Sequence, residues 1–337
     1  MKKYNIAVVG VTGAVGQTML KILQERQFPV KTLLPLASSR SAGREVDFLG
    51  RKIKIQEAVP AAFEGVDLAL FAVEKNISLR LAPEAIKRGC LVIDNSNAFR
   101  MQPDVPLVVP EVNPEDLCKH KGLVANPNCS TIQMVVVLKP IKDNVGIKRV
   151  VVSTYQSVSG TGVDAIEELK LQSKQILDGK EPEAKVYPHP IAFNILPHID
   201  VFDETGYSKE EWKMIKETKK ILGDDSVAIT ATTVRVPVFN CHSESVNIET
   251  FEKISADEAR IILSEAPGVK VLDDPKNLAY PLARDVSGKD EVYVGRIRND
   301  FSVTNGLNLW IVSDNLRKGA SLNAVQIAEH MIANSLI

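Results

Sequence analysis

Cys129 stands between a Pro127–Asn128 turn and a long apolar run, in the stretch ANPNCSTIQMVVVL (125–138). A cysteine in that setting has two readings. It is a small hydrophobe filling a corner of the core, or a thiolate at a helix N-terminus, where free N–H groups and the helix dipole favour the anion. The second reading asks for helpers: an acid or base, and cations to hold an anionic substrate. His242 sits in VRVPVFNCHSES (234–245), seven residues after Arg235. On an unbroken strand that odd spacing puts the two on opposite faces; Pro237 and the Phe239–Asn240 step predict that the strand breaks between them. Cys90 opens an apolar strand, Cys118 lies in a charged stretch, and Cys241 would point away from its neighbour His242. His189 and His198 fall in a Pro-rich loop, His120 among lysines, and His330 on the last helix. With no C-x-x-C and no H-E-x-x-H, neither a disulfide framework nor a metal site is expected.

A second site precedes this one in the chain. VVGVTGAVGQ (8–17) sets Gly10, Gly13 and Gly16 between the first strand and the first helix. The spacing G-x-x-G-x-x-G differs from the commoner G-x-G-x-x-G, but the mechanics are alike. Glycines allow a tight turn and close backbone approach, and the helix N-terminus faces a pyrophosphate. An NAD-specific fold of this kind places a carboxylate near the end of its second strand. Here that strand ends in ASSRSAG (37–43), where Ser38, Ser39 and Arg40 offer donors and a positive charge. That pattern suits a 2′-phosphate and points to NADP; the alternative is that Arg40 is a solvated loop residue.

These residues need elements to hold them. Short apolar runs at 4–10, 30–38, 67–73, 90–96 and 122–126 alternate with helical spacing at 15–26 and 78–89. Strands apolar throughout, separated by helices, indicate a parallel sheet covered on both faces. After residue 130 the texture changes. An apolar helix (130–143) leads to β-type segments at 148–160, 226–238, 243–251, 291–300 and 306–314, with a charged helix at 163–178. Strands without a helix after each one suggest an α+β domain with a mixed or antiparallel sheet. The expectation is an α/β N-terminal Rossmann-type domain over residues 1–128, then an α+β domain with a mixed sheet over 129–314, which carries Cys129 and to which the resemblance given below assigns catalysis and dimerisation. The amphipathic C-terminal helix, about 315–337, is expected to return to the first domain.

At 337 residues, two domains are the default. The formal net charge of −1 and scattered lysines and arginines give no footprint for nucleic acid or acidic membranes. No signal peptide is read in MKKYNIAVVGVTG, which Gly10 and Gly13 interrupt, and no apolar run approaches the roughly 20 residues of a bilayer span. A cytoplasmic address with reduced thiols is expected.

Taken together, GVTGAVG, SSRSAG, DNSNAFRM, NPNCSTIQ, STYQSVSGTG, EEWKMIKETKKIL, TTVRVPVFNCHSE and DNLRKGASLNAVQIAEHM resemble bacterial aspartate-semialdehyde dehydrogenase from end to end and in order. The resemblance implies NADPH-dependent reductive dephosphorylation of 4-phospho-L-aspartate to L-aspartate 4-semialdehyde, a branch point toward lysine, methionine and threonine. It implies that Cys129 is the nucleophile, forming a thioacyl-enzyme, that His242 is the acid/base residue and that Gln156 orients the acyl group. By motif position Arg235 would clamp the α-carboxylate and Glu210 meet the α-ammonium. Arg100 and Lys213, with Asn128 nearby, would hold phosphate. Glu210 and Lys213, spaced i, i+3, share one helix face, although without the resemblance the pair reads first as an ordinary surface ion pair. Thr12, Gly13, Ala14, Val15, Ser38, Ser39, Arg40, Ser159, Gly160 and Asn315 match cofactor contacts. The family is built as homodimers or homotetramers. No position carried over departs from its pattern.

Two alternatives are weighed. N-acetyl-glutamyl-phosphate reductase shares the fold plan and the Cys/His chemistry, but its substrate is acylated at nitrogen, where Glu210 would be unhelpful. A non-catalytic paralogue would have lost part of the set Cys129, His242, Gln156 and Arg235, all of which are present.

Overall fold

The apolar run at the start of the chain forms β1 (Tyr4–Val9), the strand about which the first sheet is organised. It is followed by α1 (Ala14–Glu25), β2 (Val30–Ala37), a hairpin of β3 (Glu45–Phe48) and β4 (Arg51–Lys54), and β5 (Gln56–Glu57). Then come β6 (Leu68–Phe71), α2 (Lys75–Ile86), β7 (Leu91–Asp94) and β8 (Leu123–Ala125). In this computed structural model, which describes residues 2–337, the chain forms two units: Met1–Asn128 with Ala320–Ile337, and Cys129–Gly319.

In the first unit the sheet order is β5-β2-β1-β6-β7-β8, and every pairing is parallel. Strands β6, β7 and β8 are buried at every position, as a sheet covered on both faces requires. Strand order reverses at β1, so the glycine loop that follows it lies at the topological switch point where doubly wound folds bind ligands. Met19, Ile22 and Leu23 of α1 pack on this sheet with Leu322, Val325, Ala328 and Met331 of the C-terminal helix, Leu322–Ala333. The β3–β4 hairpin has no counterpart in the sequence reading. Its two-residue turn is Leu49–Gly50, both at positive φ (52° and 71°), and a leucine there hides the usual Asn-Gly signature.

The second unit begins with α3 (Cys129–Val145), in which every residue from Ser130 to Leu138 is buried. After it come β9 (Ile147–Gln156), α4 (Val163–Leu177), α5 (Lys209–Leu222), β10 (Ala228–Arg235) and β11 (His242–Thr250). The remainder is α6 (Ala256–Glu265), β12 (Val269–Val271), α7 (Ala283–Val286), β13 (Val292–Asn299) and β14 (Gly306–Ser313). The sheet order is β10-β9-β11-β14-β13-β12. Pairs β9/β10 and β12/β13 are parallel and the other three antiparallel, so the sheet is mixed. His242, Glu244, Val246 and Ile248 of β11 are buried on one face, while Ser245, Asn247 and Glu249 are less so on the other.

Two boundaries differ from the sequence reading. The strand expected over 148–160 stops at Gln156, because Val158–Gly160 turns as a 3-10 helix. Residues 315–319, grouped above with the C-terminal helix, belong to the second unit. Asp314 holds them there: Oδ1 accepts from the Leu316 and Arg317 N–H groups, and its carbonyl accepts from Gly319 N–H.

Candidate active site

One end of the mixed sheet collects the polar residues of the second unit. β9 ends at Gln156, β10 ends at Arg235 directly beside it in register, and antiparallel β11 begins there with His242. The expected break between Arg235 and His242 is a loop of six residues, 236–241, closing with Cys241 at φ 72°. Opposite faces of one strand are therefore not at issue, since the two residues lie on different strands.

His242 is wholly buried. Its Nδ1 accepts a hydrogen bond from the Ser157 backbone N–H at 3.0 Å, with the Ser157 hydroxyl 3.2 Å away. A backbone N–H can only donate, so Nδ1 carries no proton and Nε2 does. No protein group partners that Nε2 among the described residues. Burial, and then the Arg235 charge, pull the imidazole pKa down to about 3. The ring is thus a neutral donor at physiological pH. Gly160 lies against it: a Cβ there would fall 3.1 Å from His242 Cε1, 3.2 Å from Nε2 and 3.1 Å from Arg235 Nη1. The glycine keeps the approach to Nε2 open.

Arg235 is buried, donates from Nη1 to the Ser157 carbonyl at 2.7 Å and lies 5.9 Å over the Tyr187 ring. Its Nε has no partner among the described residues. Ser157 therefore serves both residues, its N–H turned to the histidine and its carbonyl to the arginine. Asn315 fixes the back of this arrangement. Its Oδ1 accepts from Cys241 N–H (2.9 Å), Ser157 Oγ (3.0 Å) and Ser159 Oγ (3.2 Å). Both Asn315 and Ser159, read above as cofactor contacts, are buried in this network, whereas Gly160 is exposed.

The first turn of α5 brings up the acidic partner. A capping box sets it: Ser208 Oγ accepts from Glu211 N–H and Glu211 Oε2 accepts from Ser208 N–H. Glu211 Oε1 also accepts from Thr233 N–H, tying the helix to β10. Glu210, buried in that turn, accepts from Gln156 Nε2 at 3.2 Å through Oε1 and from Lys213 Nζ at 3.1 Å through Oε2. Lys213 also donates to Asp200 at 2.9 Å. Burial alone would lower the Lys213 pKa, but Glu210 and Asp200 outweigh it and the pKa is raised. Lys213 is accordingly a cation shared between two carboxylates rather than an unengaged phosphate anchor.

Cys129 is the first residue of α3 and half-buried, and no acidic side chain occupies that first turn. Such a position favours a thiolate. Gly319 makes room for it, since a Cβ there would lie 3.1 Å from Cys129 Cβ. Cys90 and Cys241 are different in kind: burial pushes the first thiol up to about 12 and raises the second as well.

In the first unit, Gly10 is at φ 85° and its Cβ would meet the Ala72 carbonyl at 2.2 Å; a Cβ on Gly16 would meet the Gly10 carbonyl at 2.3 Å. The loop is thus folded as only glycines allow. Thr12 and Gly13 are exposed, Ala14 and Val15 open α1, and no side chain caps that helix. Its first-turn N–H groups suit a pyrophosphate. Ser38, Ser39 and Arg40 form an exposed turn after β2. A carboxylate does stand near, on another strand: β5 sets exposed Glu57 beside Ala37. The residues present fit a nicotinamide dinucleotide.

Arg100 is anchored in the same unit, donating from Nε to the Asn126 carbonyl (2.9 Å) and from Nη2 to the Asn95 carbonyl (2.7 Å). Asn126 in turn donates to Asn95 Oδ1 and accepts from Asn323 Nδ2. Asn128, buried, immediately precedes Cys129. Among the described residues no group of three His, Cys, Asp or Glu is placed to hold a metal, and no helix is long and apolar enough to cross a membrane.

Sequence reasoning missed Ser157, Tyr187, Asp200, Asn126, Asn323 and Gly319. Ser157 lay inside a motif already singled out, so its backbone role was the hidden part. Tyr187 and Asp200 sit in the irregular segment between α4 and α5, where no periodicity marks a residue.

Family models describe two parts of the chain: "Semialdehyde dehydrogenase, NAD binding domain" matches residues 5–120 and "Semialdehyde dehydrogenase, dimerisation domain" matches residues 138–318. An aspartate-semialdehyde dehydrogenase of Aquifex aeolicus is 56% identical over 338 residues, 99% of each chain. The crystal structure of aspartate semialdehyde dehydrogenase II from Vibrio cholerae, complexed with ASA, is similar with a TM-score of 0.96 at 47% identity, over 99% of both chains. The Candida albicans enzyme with NADP is similar with a TM-score of 0.79 at 26% identity, over 100% of both chains.

Proposed function

The chain belongs to the aspartate-semialdehyde dehydrogenase family, and from that premise we propose how its residues divide the work. The reaction is the reversible, phosphate-dependent reduction of 4-phospho-L-aspartate to L-aspartate 4-semialdehyde. Cys129 sulfur attacks the acyl phosphate carbonyl, the C–O bond to phosphate breaks, and a thioester remains. Splitting the displacement this way replaces one hard step by two easier ones. NADPH, when bound, supplies the hydride. The thiohemiacetal left on Cys129 then collapses, releasing aldehyde and thiolate.

His242 serves this sequence from Nε2. In the tautomer that Ser157 fixes, that nitrogen gives a hydrogen bond rather than taking one. It stabilises the thiolate and then the carbonyl oxygen as negative charge develops. The acid side of the expected acid/base role is therefore the side this geometry supports. Gln156 donates to Glu210, and its amide would orient the acyl group. The observation that carries the reading is this gathering at one sheet end of a buried guanidinium, a buried carboxylate and a histidine with an open Nε2. Arg235 and Glu210 are complementary to the α-carboxylate and α-ammonium of an amino acid. Arg100, Asn128 and Lys213 take the phosphate, Lys213 by leaving its Asp200 contact.

NADP is the cofactor named for the Candida albicans relative. Here Gly10, Thr12, Gly13, Ala14, Val15 and Gly16 would hold its pyrophosphate, and Ser38, Ser39 and Arg40 its 2′-phosphate. Arg40→Ala is expected to raise the KM for NADP about tenfold, one charge-assisted contact, with little change for NAD. An equal change for both cofactors would remove Arg40 from the phosphate site. Gly160→Ala is expected to lower kcat roughly 10- to 100-fold by crowding Nε2, without a comparable loss of thermal stability. A wild-type kcat in that variant would mean that Nε2 is not used.

The assembly is a homodimer or homotetramer, the reading that fits a dimerisation domain, and the address is cytoplasmic. The test of the whole reading is NADPH formation from L-aspartate 4-semialdehyde, phosphate and NADP, beside cuvettes holding N-acetylglutamate semialdehyde, NAD, or no phosphate. Phosphate-dependent turnover of the free-amine aldehyde is expected. Turnover of the acetylated aldehyde alone would move the chain to the N-acetyl-glutamyl-phosphate reductases. Silence in every cuvette from folded protein would make it a non-catalytic paralogue.

A further inference from the structure

The reaction above leaves one buried acid unused. Glu244 lies two residues beyond His242 on the same face of β11, and both are wholly buried. Gln133 lies one helical turn beyond Cys129 on α3, at the i, i+4 spacing that shares a face, and it too is buried. α3 packs on β11, and the Gln133 amide bears on the Glu244 carboxyl. Both carboxyl oxygens and both polar atoms of the amide are buried without a hydrogen-bond partner among the described residues. A second polar layer thus lies one residue pair below Cys129 and His242, with one member on each of the two elements that carry them.

No charged group bears on Glu244. On this face β9 presents Val152, Thr154 and Gln156, and β14 presents Leu309, Ile311 and Ser313, none of them titratable. On α3 the titratable groups are Cys129 at its head and Lys139, Lys142 and Asp143 at its far end; on β11 they are His242, next on this face, and Glu249 near the opposite end; buried Lys318 precedes Gly319, which lies against Cys129. An isolated carboxylate cannot be sustained in such surroundings, and burial holds the Glu244 pKa well above the usual carboxylate range. As a neutral acid, however, Glu244 has one O–H donor and one carbonyl acceptor, the complement of a primary amide. Turned toward one another, the two groups can form two parallel hydrogen bonds, Glu244 O–H to Gln133 Oε1 and Gln133 Nε2–H to the Glu244 carbonyl.

We propose that Glu244, as a neutral acid paired with Gln133, is a positioning residue that locks the Cys129 turn of α3 to the His242 end of β11. The inference rests on Cys129 and His242 being the reacting pair. It carries a pH signature, because a carboxylate has no O–H to donate. As pH rises through the raised pKa, the pair loses one hydrogen bond and the lock loosens. Stability follows the same sign: a pKa higher in the folded than in the unfolded chain makes stability fall as pH rises above the ordinary Glu range.

The experiment compares wild type with Glu244→Gln and Glu244→Leu in the full chain. Glutamine keeps two hydrogen bonds as an amide pair and cannot ionise. It should hold kcat within about twofold near neutrality, the cost of an isosteric exchange, and move the alkaline limb of the kcat profile upward. Its melting temperature should gain on wild type as pH rises. Leucine removes the pair and should lower kcat by roughly tenfold, the scale of one buried hydrogen bond, with the KM for NADP unchanged. Iodoacetamide labelling, followed on the Cys129 peptide against pH without substrate, should shift in parallel. An alkaline limb in Glu244→Gln that coincides with wild type would overturn the proposal, as would a wild-type profile in Glu244→Leu. If the leucine variant does not fold, the glutamine profile decides. Full activity in Cys129→Ala would instead sink the reading on which the proposal rests.

Discussion

Cys129→Ala is expected to lower kcat by at least about ten-thousandfold while leaving NADP affinity and the melting temperature close to wild type. The loss is large because no second thiol can substitute. Cys90 and Cys241 are buried with raised pKa values, and Cys118 lies on a short 3-10 turn of the other unit. The fold is spared because alanine is well suited to a helix, and the position is only half-buried. The cofactor loop, Gly10 to Gly16, belongs to the first unit and does not depend on the sulfur. Steady-state kinetics with a binding titration of NADP checks both halves. A fall of less than tenfold would place the nucleophile elsewhere.

His242→Gln is expected to lower kcat by about 10²- to 10⁴-fold, the usual scale for a positioned acid or base. Its second consequence concerns pH. With a folded pKa of about 3, His242 stays neutral far below the pH at which an unfolded histidine protonates. Between those values the unfolded chain binds the extra proton and the folded chain does not. Its contribution to stability is therefore present above about pH 6.5 and is lost as pH falls toward 3. The loss is of order a few kcal/mol. Glutamine cannot titrate, so the variant should resist acid unfolding better than wild type relative to their difference at pH 7. Denaturant unfolding at pH 7 and pH 4.5 reads this directly. Parallel pH dependence in the two proteins would mean that the imidazole is not buried as described. For the same reason the acid limb of wild-type activity should lie well below pH 6.5.

Much of this was legible in the residues. The alternation of apolar strands and helices announced the parallel sheet, and the glycine spacing located its switch point. The helix that Cys129 opens was readable because its apolar run is uninterrupted. The hairpin at 45–54 was not, since a Leu-Gly turn carries no recognisable signature. Nor was the role of Ser157, because a backbone N–H that fixes a tautomer leaves no trace in a side-chain code. Lys213 shows another limit: the resemblance implied an anion anchor and the spacing alone an ion pair with Glu210, while its pairing with Asp200 arises from an irregular segment whose path no periodicity reveals. Glu57 beside the Arg40 turn is a similar case, brought there by strand pairing across the sheet rather than by proximity in the chain.

The central claim is that the acyl group passes through Cys129 and leaves to phosphate. It is tested by mixing the enzyme with L-aspartate 4-semialdehyde and NADP in the absence of phosphate. The account predicts a burst of NADPH limited to one equivalent per subunit, an aspartyl thioester on the Cys129 peptide by mass spectrometry, and discharge of that adduct when phosphate is added. Sustained turnover without phosphate, or a burst whose adduct lies on another residue, would contradict it.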